Sequence, residues 1–272
     1  MMPWEHRIGY ANGSNIMAST EVLLDRPCDG VAVITFNRPE QMNAVRPSTV
    51  SAFIDVISSV SGDIATRAVI LTGAGRGFCS GMDLSARAEF PPQDVPQATE
   101  WMRELFRGAV AWSELPQPTI AAINGPAIGG GFGFALASDI RIASPQARFA
   151  ATFVKIAMGP DAGLSHTLPR VVGHAKALEL LLTADTVDAD EALELGIVSK
   201  VSADPMAAAI TLAQRFAAVP EHVSRRIKAT LQRSASADLP TAISEIEVSA
   251  QAEHYCHPEF FANAGRWLNA HA

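Results

Sequence analysis

The chain has 272 residues, 48% hydrophobic and 18% charged, a balance that excludes a disordered polymer and allows one substantial core with a smaller appendage. Its formal charge of -7, with no stripe of Lys and Arg, excludes a nucleic-acid footprint but not a phosphate-bearing small molecule held by a few arginines and backbone amides. Cys28, Cys79 and Cys256 are odd in number and far apart, which argues against a disulfide framework and for a reducing, cytoplasmic setting.

Residues 1–18 are polar and irregular and lack the basic start and apolar run of a secretory signal, so they are read as a tail ahead of structure beginning at residue 19. Glu21 to Leu24 and Val31 to Phe36 flank the turn signal Pro27-Cys28-Asp29-Gly30 and predict a hairpin. Apolar residues at Val50, Phe53, Ile54, Ile57 and Val60, behind Pro47, predict a helix. Arg67 to Leu71, Thr119 to Ile123 and Ile140 to Ala143 predict strands, separated by helices over Val95 to Leu115 and Gly130 to Ala137. The uncharged stretch from Leu115 to Ser138 raises the membrane question, but its prolines and glycines predict a buried strand, turn and helix instead.

Strands alternating with helices imply crossover units, hence an α/β core over residues 19–204. Within it Asp188 and Gly196 bracket a short helix before a strand over Ile197 to Val201. From residue 205 to 272 alanine-rich amphipathic stretches, including Ala207 to Ala218 and His222 to Gln232, predict a helical C-terminal subdomain.

Two glycine-rich segments follow predicted strands: Gly73 to Leu84, containing Phe78-Cys-Ser-Gly-Met-Asp-Leu84, and Asn124 to Ile140, containing Gly129-Gly-Gly131. Glycines there let a ligand approach the main chain, and unpaired N–H groups at the helix start favour negative charge developing on an oxygen. Each glycine alone reads as a tight turn; the two segments together point to a site. A dinucleotide fingerprint is rejected because Gly129-Gly-Gly-Phe-Gly lacks its spacing.

Phe78 to Leu84 and Ala122-Ile-Asn-Gly-Pro-Ala-Ile-Gly-Gly-Gly131 resemble the two oxyanion-hole segments of the crotonase (enoyl-CoA hydratase/isomerase) family. Phe36-Asn-Arg-Pro39 with Met42-Asn-Ala44, Pro160-Asp-Ala-Gly163 with Leu168-Pro-Arg170, and Ala189 to Val198 extend the likeness over roughly residues 20 to 205. The resemblance implies a crotonase-like spiral of ββα units whose helical C-terminal region assembles a homotrimer or a dimer of trimers. It implies an acyl-CoA substrate, with no cofactor beyond the coenzyme A of that substrate, no metal and no membrane partner. The N–H groups of Met82 and Gly130 would bind the thioester oxygen, and Met42, Asn43, Ala44, Ser80, Gly81, Asp83, Leu84, Gly129, Gly131, Gly133 and Phe153 would line the substrate and coenzyme site.

Hydratases of that family carry two glutamates, and the matching positions here are Gly133 and Phe153, neither able to transfer a proton. One carboxylate remains, Asp161, in a string resembling the branch that shifts double bonds, including the ring-opening isomerase of phenylacetate breakdown. That resemblance implies a base at Asp161; the alternative is that Asp161 caps a helix starting near Ala162. A hydratase or lyase using another carboxylate such as Glu89, and a non-catalytic acyl-CoA-binding protein, are the competing readings. Cys79 reads as buried packing, His166 as lining or surface, and Phe132, Phe134 and Phe153 as core with one or two facing the acyl group. His254-Tyr-Cys256-His257 has metal-type side chains without a zinc spacing or a second half-site, and reads as helix-end surface.

Overall fold

The computed structural model describes residues 20–85 and 94–271; the expected tail at 1–18, Glu89 and most of the loop from Ser85 to Pro96 lie outside them. β1 (Val22–Cys28) and β2 (Val31–Phe36) form the antiparallel hairpin, with Gly30 at φ +75 in the turn. Next come α1 (Pro47–Ser61), β3 (Ala68–Gly73), α2 (Val95–Ser113), β4 (Thr119–Ile123), β5 (Ala127–Ile128), α3 (Gly130–Ala137), β6 (Ile140–Ala143) and β7 (Arg148–Ala150). α4 (Leu164–Val172), α5 (His174–Thr183), β8 (Thr186–Asp188), α6 (Ala189–Glu194) and β9 (Lys200–Val201) follow. The rest is helical: α7 (Pro205–Ala217), α8 (Glu221–Ser234), α9 (Leu239–Thr241) running through a π-helical stretch (Ala242–Glu247) into α10 (Val248–Tyr255), and α11 (Pro258–His271).

The main sheet has the order β1-β2-β3-β4-β6-β9, parallel everywhere except β1 against β2; a small sheet, β5-β7-β8, stands beside it. Parallel neighbours demand crossovers, which α1, α2 and α3 provide. Side chains alternate across the strands, so Ile34, Phe36, Val69, Leu71, Ala121 and Ile123 join α1, α2 and α3 in the larger core. Their neighbours Val31, Val33, Ala68, Ile70, Ile120 and Ala122 face the other way, onto Ala209 and Ala213 of α7. A sheet covered on both faces explains why these strands read as unbroken apolar runs. It also means that sheet packing continues past residue 204 into α7.

The uncharged stretch at 115–138 forms β4, β5 and α3, and no helix among the described residues is long and apolar enough to cross a membrane. Two expectations change in detail. The strand expected over Ile197 to Val201 shrinks to two residues, because the Val198 N–H turns back to the Ala192 carbonyl and pairing toward β6 starts only at Ser199. β5, β7 and β8, two or three residues each, are too short to leave a period in the sequence.

Candidate active site

The first glycine-rich segment is held from beneath by asparagine side chains. Asn43, 1% exposed and at φ +57, donates to the carbonyls of Ala74 and Gly77 and accepts from the Arg38 N–H. Asn124 at the end of β4 donates to the carbonyls of Gly73, Gly75 and Gly77. These amides replace the ladder partners that a turning chain loses. The Arg38 guanidinium then donates to the Ala44 carbonyl and pairs with Asp83 at 2.8 Å, both side chains about nine-tenths buried. Burial alone would raise the Asp83 carboxyl; hydrogen bonds from Ser85 and Arg38 outweigh it and hold it below its ordinary value.

Asn43 and Asp83, expected near the coenzyme, thus have side chains committed to the scaffold and offer a ligand only backbone. Ala44 is buried, and Met42, at φ +50, accepts from the Ser80 N–H through its carbonyl. Leu84 is 52% exposed and free to meet a ligand at the rim.

Around Met82 the chain pairs with Val45: the Val45 N–H donates to Gly81 at 2.8 Å and the Asp83 N–H to Val45 at 2.8 Å. Alternation along that bridge leaves the intervening Met82 N–H without a partner among the described residues. Gly81 reaches φ +88, and a Cβ there would stand 2.8 Å from the Ile128 carbonyl and 3.1 Å from the Gly130 nitrogen. The two glycine segments are therefore in van der Waals contact at this point. Gly129, at φ +54, donates to Ala150, and Gly130 opens α3 with an N–H that has no partner among the described residues. Gly131 is glycine for packing, since a Cβ would lie 2.0 Å from the Cys79 carbonyl.

Met82 and Gly130 line one cavity together with Val45, Leu105, Phe106, Ala109, Phe134, Asp161 and Ala162. Two residues with N–H groups unpaired among the described residues, one at a helix N-terminus, thus line the same apolar cavity, an arrangement from which an anionic oxygen can be bound. Asp161 supplies the only carboxyl in that lining among the described residues, and its Oδ1 lies 3.4 Å from where a Gly130 Cβ would be. That oxygen is buried with no hydrogen-bond partner among the described residues, and burial pushes the Asp161 carboxyl up to about 6.

Asp161 does not cap a helix. α4 starts at Leu164 with Gly163, at φ +83, as its cap residue and no side-chain cap bond. The turn before it holds Ala162 at φ +46, a conformation that L residues rarely adopt. Gly133 makes room for it: a Cβ at Gly133 would lie 2.6 Å from the Ala162 Cβ and 2.7 Å from its carbonyl oxygen. The position matching a hydratase glutamate is thus occupied by the backbone of the Asp161 loop.

Of the aromatic residues, Phe134 lines the cavity, while Phe132 packs on Phe149 at 5.4 Å and Phe153 is buried beside Gly129. Cys79 is buried and its thiol is pushed up to about 12 by burial, as a packing residue requires. His166 is exposed on α4. Leu105, Phe106 and Ala109 of α2 join the lining without a distinguishing sequence signal; their apolar spacing marks a buried face without saying what it faces. Outside the cavity, His257 meets His222 of α8, a pairing that no local spacing connects.

Residues 27–260 match the family model described as enoyl-CoA hydratase/isomerase. A probable enoyl-CoA hydratase of Mycobacterium leprae is 43% identical over 192 residues, covering 67% of this chain and 64% of that protein. A 4-chlorobenzoyl coenzyme A dehalogenase of an Arthrobacter species is 35% identical over 236 residues, 85% of each chain. The crystal structure of an enoyl-CoA hydratase from Bacillus anthracis superposes with a TM-score of 0.86 at 30% identity, covering 92% of this chain and 96% of that one.

Proposed function

The chain belongs to the enoyl-CoA hydratase/isomerase family, whose members act on CoA thioesters, and we propose that its reaction is the migration of a double bond in an enoyl-CoA. The observation that carries this reading is the unpartnered Asp161 carboxyl beside the free Gly130 N–H, in a cavity with no second carboxyl among the described residues. The thioester oxygen accepts from the Met82 and Gly130 N–H groups, each such donor being worth about 2.7–4 kcal/mol of barrier. Ionised Asp161 removes a proton from C2 of a 3-enoyl thioester. The electrons spread over a dienolate, with the negative charge on the bound oxygen. The same carboxylic acid returns the proton to C4, so one base completes a mass-neutral isomerisation.

Hydration needs a second proton-transfer group to orient and split water, and Gly133 and Phe153 supply none. A second reading follows from the same lone carboxylate and from the 35% identity to the Arthrobacter dehalogenase: Asp161 attacks an aromatic carbon of an aroyl-CoA, the carbon–halogen bond breaks and halide leaves, and water then cleaves the aryl ester on Asp161 to give the hydroxyaroyl thioester, a proton released to solvent and the free carboxylate. Exposed Leu239, Val248, Phe261, Trp267 and Leu268 on the last helices support placing subunit contacts there, in a trimer or dimer of trimers.

Incubating the enzyme with trans-3-enoyl-CoA in deuterated water and following products by mass spectrometry tests the reading. Conversion to the conjugated isomer with at most solvent exchange supports it. A water adduct as the main product refutes it in favour of hydration, and halide release from 4-chlorobenzoyl-CoA without isomerase turnover favours the second reading. Tight thioester binding with no turnover indicates a binding protein.

A further inference from the structure

We infer that His222, His257 and Glu259 form a binding site for a borderline divalent transition metal, with Zn²⁺ as the natural probe, independent of the thioester site. One nitrogen from each histidine and one Glu259 oxygen lie within 4.8 Å of one another, contributed by the first turn of α8 and by the junction of α10 with α11. Sequence spacing around His254 and His257 lacks a second half-site; the packing of α8 against the last helices supplies it. The His222 and His257 rings stack at 3.7 Å, and the Glu259 N–H donates to His257 Nδ1 at 3.3 Å. In that long contact Nδ1 accepts and the ring proton sits on Nε2, so an ion taking Nε2 would move the proton to Nδ1 and displace this bond.

His254 lies at the edge of this group rather than in it: its ring centroid is 5.7 Å from that of His222, and its buried Nε2 has no hydrogen-bond partner among the described residues, which is a cost unless something occupies it. Nearby positive charge does not oppose a cation, because Arg225 pairs with Glu221 and Arg226 with Glu253. A cavity of about 490 Å³, lined in part by His222, His254, Glu259 and Trp267, opens onto the cluster, so an ion enters without unfolding.

Two imidazoles with one carboxylate suit Zn²⁺, whereas Mg²⁺ and Ca²⁺ prefer all-oxygen shells. Tetrahedral Zn–N bonds of about 2.0–2.1 Å place ligand atoms roughly 3.4 Å apart, so the donors must close in from 4.8 Å and the His222 and His257 rings must turn out of their 25° stack for both lone pairs to meet one ion. Bound metal would staple α8 to α10 and α11.

The test is calorimetric titration of the chelator-treated full chain with Zn²⁺ and with Mg²⁺, supported by the visible bands of bound Co²⁺. One Zn²⁺ per chain, far tighter than Mg²⁺, and tetrahedral Co²⁺ bands are expected. The double variant His222→Ala/His257→Ala should bind Zn²⁺ at least about 100-fold more weakly, beyond the range that outer-shell changes alone cost. Exposed Glu259→Gln, which leaves the helices their packing, should weaken it about tenfold and carries the test if the double variant does not fold. Unchanged Zn²⁺ affinity in a folded double variant or in Glu259→Gln, or wild-type affinity for Zn²⁺ no better than for Mg²⁺, overturns the site.

Discussion

Replacing Asp161 with asparagine separates catalysis from stability, because the two respond with opposite sign. The folded carboxyl titrates at about 6 through burial, against an ordinary 3.8. Below the ordinary value both folded and unfolded chains hold the proton and Asp161 costs nothing. As pH rises toward 6 the unfolded chain releases its proton first, so wild-type stability falls; above 6 both are ionised and the whole penalty is present. About two pKa units correspond to roughly 3 kcal/mol, an upper bound since the residue is partly solvated. The buried amide of the Asp161→Asn variant has its own desolvation cost of about 1–3 kcal/mol, so the absolute change at one pH is ambiguous. The clean quantity is the variant-minus-wild-type difference in unfolding free energy, which should grow by up to about 3 kcal/mol between pH 4 and pH 8. Other titrating groups cancel in that difference. Urea unfolding of both proteins across this range measures it, while turnover of the variant should fall on the order of 10²–10⁴-fold. A difference flat with pH would refute the buried, unpartnered carboxyl, and unchanged turnover would remove Asp161 from the reaction.

Gly133→Ala puts a Cβ 2.6 Å from that of Ala162, and the loop can relieve this only by moving Asp161. Turnover should drop by about 100-fold or more with a stability loss of about 1–3 kcal/mol; wild-type turnover would show that the loop need not stay where it is. Iodoacetamide at pH 8 should label exposed Cys256 readily and leave Cys79, whose thiol is pushed up to about 12, unmodified until denaturant is added. Mass mapping of Cys79 labelling in the native protein would contradict its burial.

The hairpin, the crossover helices and the two glycine segments are legible in sequence because each rests on local physics. Periodicity marks a buried face, Pro47 and Asp188 mark helix starts, and a glycine run after a strand marks main chain that turns sharply. Resemblance adds the pairing of Met82 with Gly130, two positions that no local rule connects. What Asp161 does is not legible: a carboxylate two residues before Gly163 reads equally as cap or base, and only the start of α4 at Leu164, with no side-chain cap bond, removes the cap reading. Asn43 and Asp83 are legible as members of the site but not as scaffold, since the Ala74 and Gly77 carbonyls that Asn43 holds and the Arg38 that pairs with Asp83 lie more than 30 residues away in the chain. His222 beside His257 is invisible for the same reason. Sequence by itself determined which segments fold and where backbone is exposed, because propensity and period act over a few residues. Tertiary structure alone decided which donors remain unpaired and which side chains meet, because both depend on contacts between segments remote in the chain.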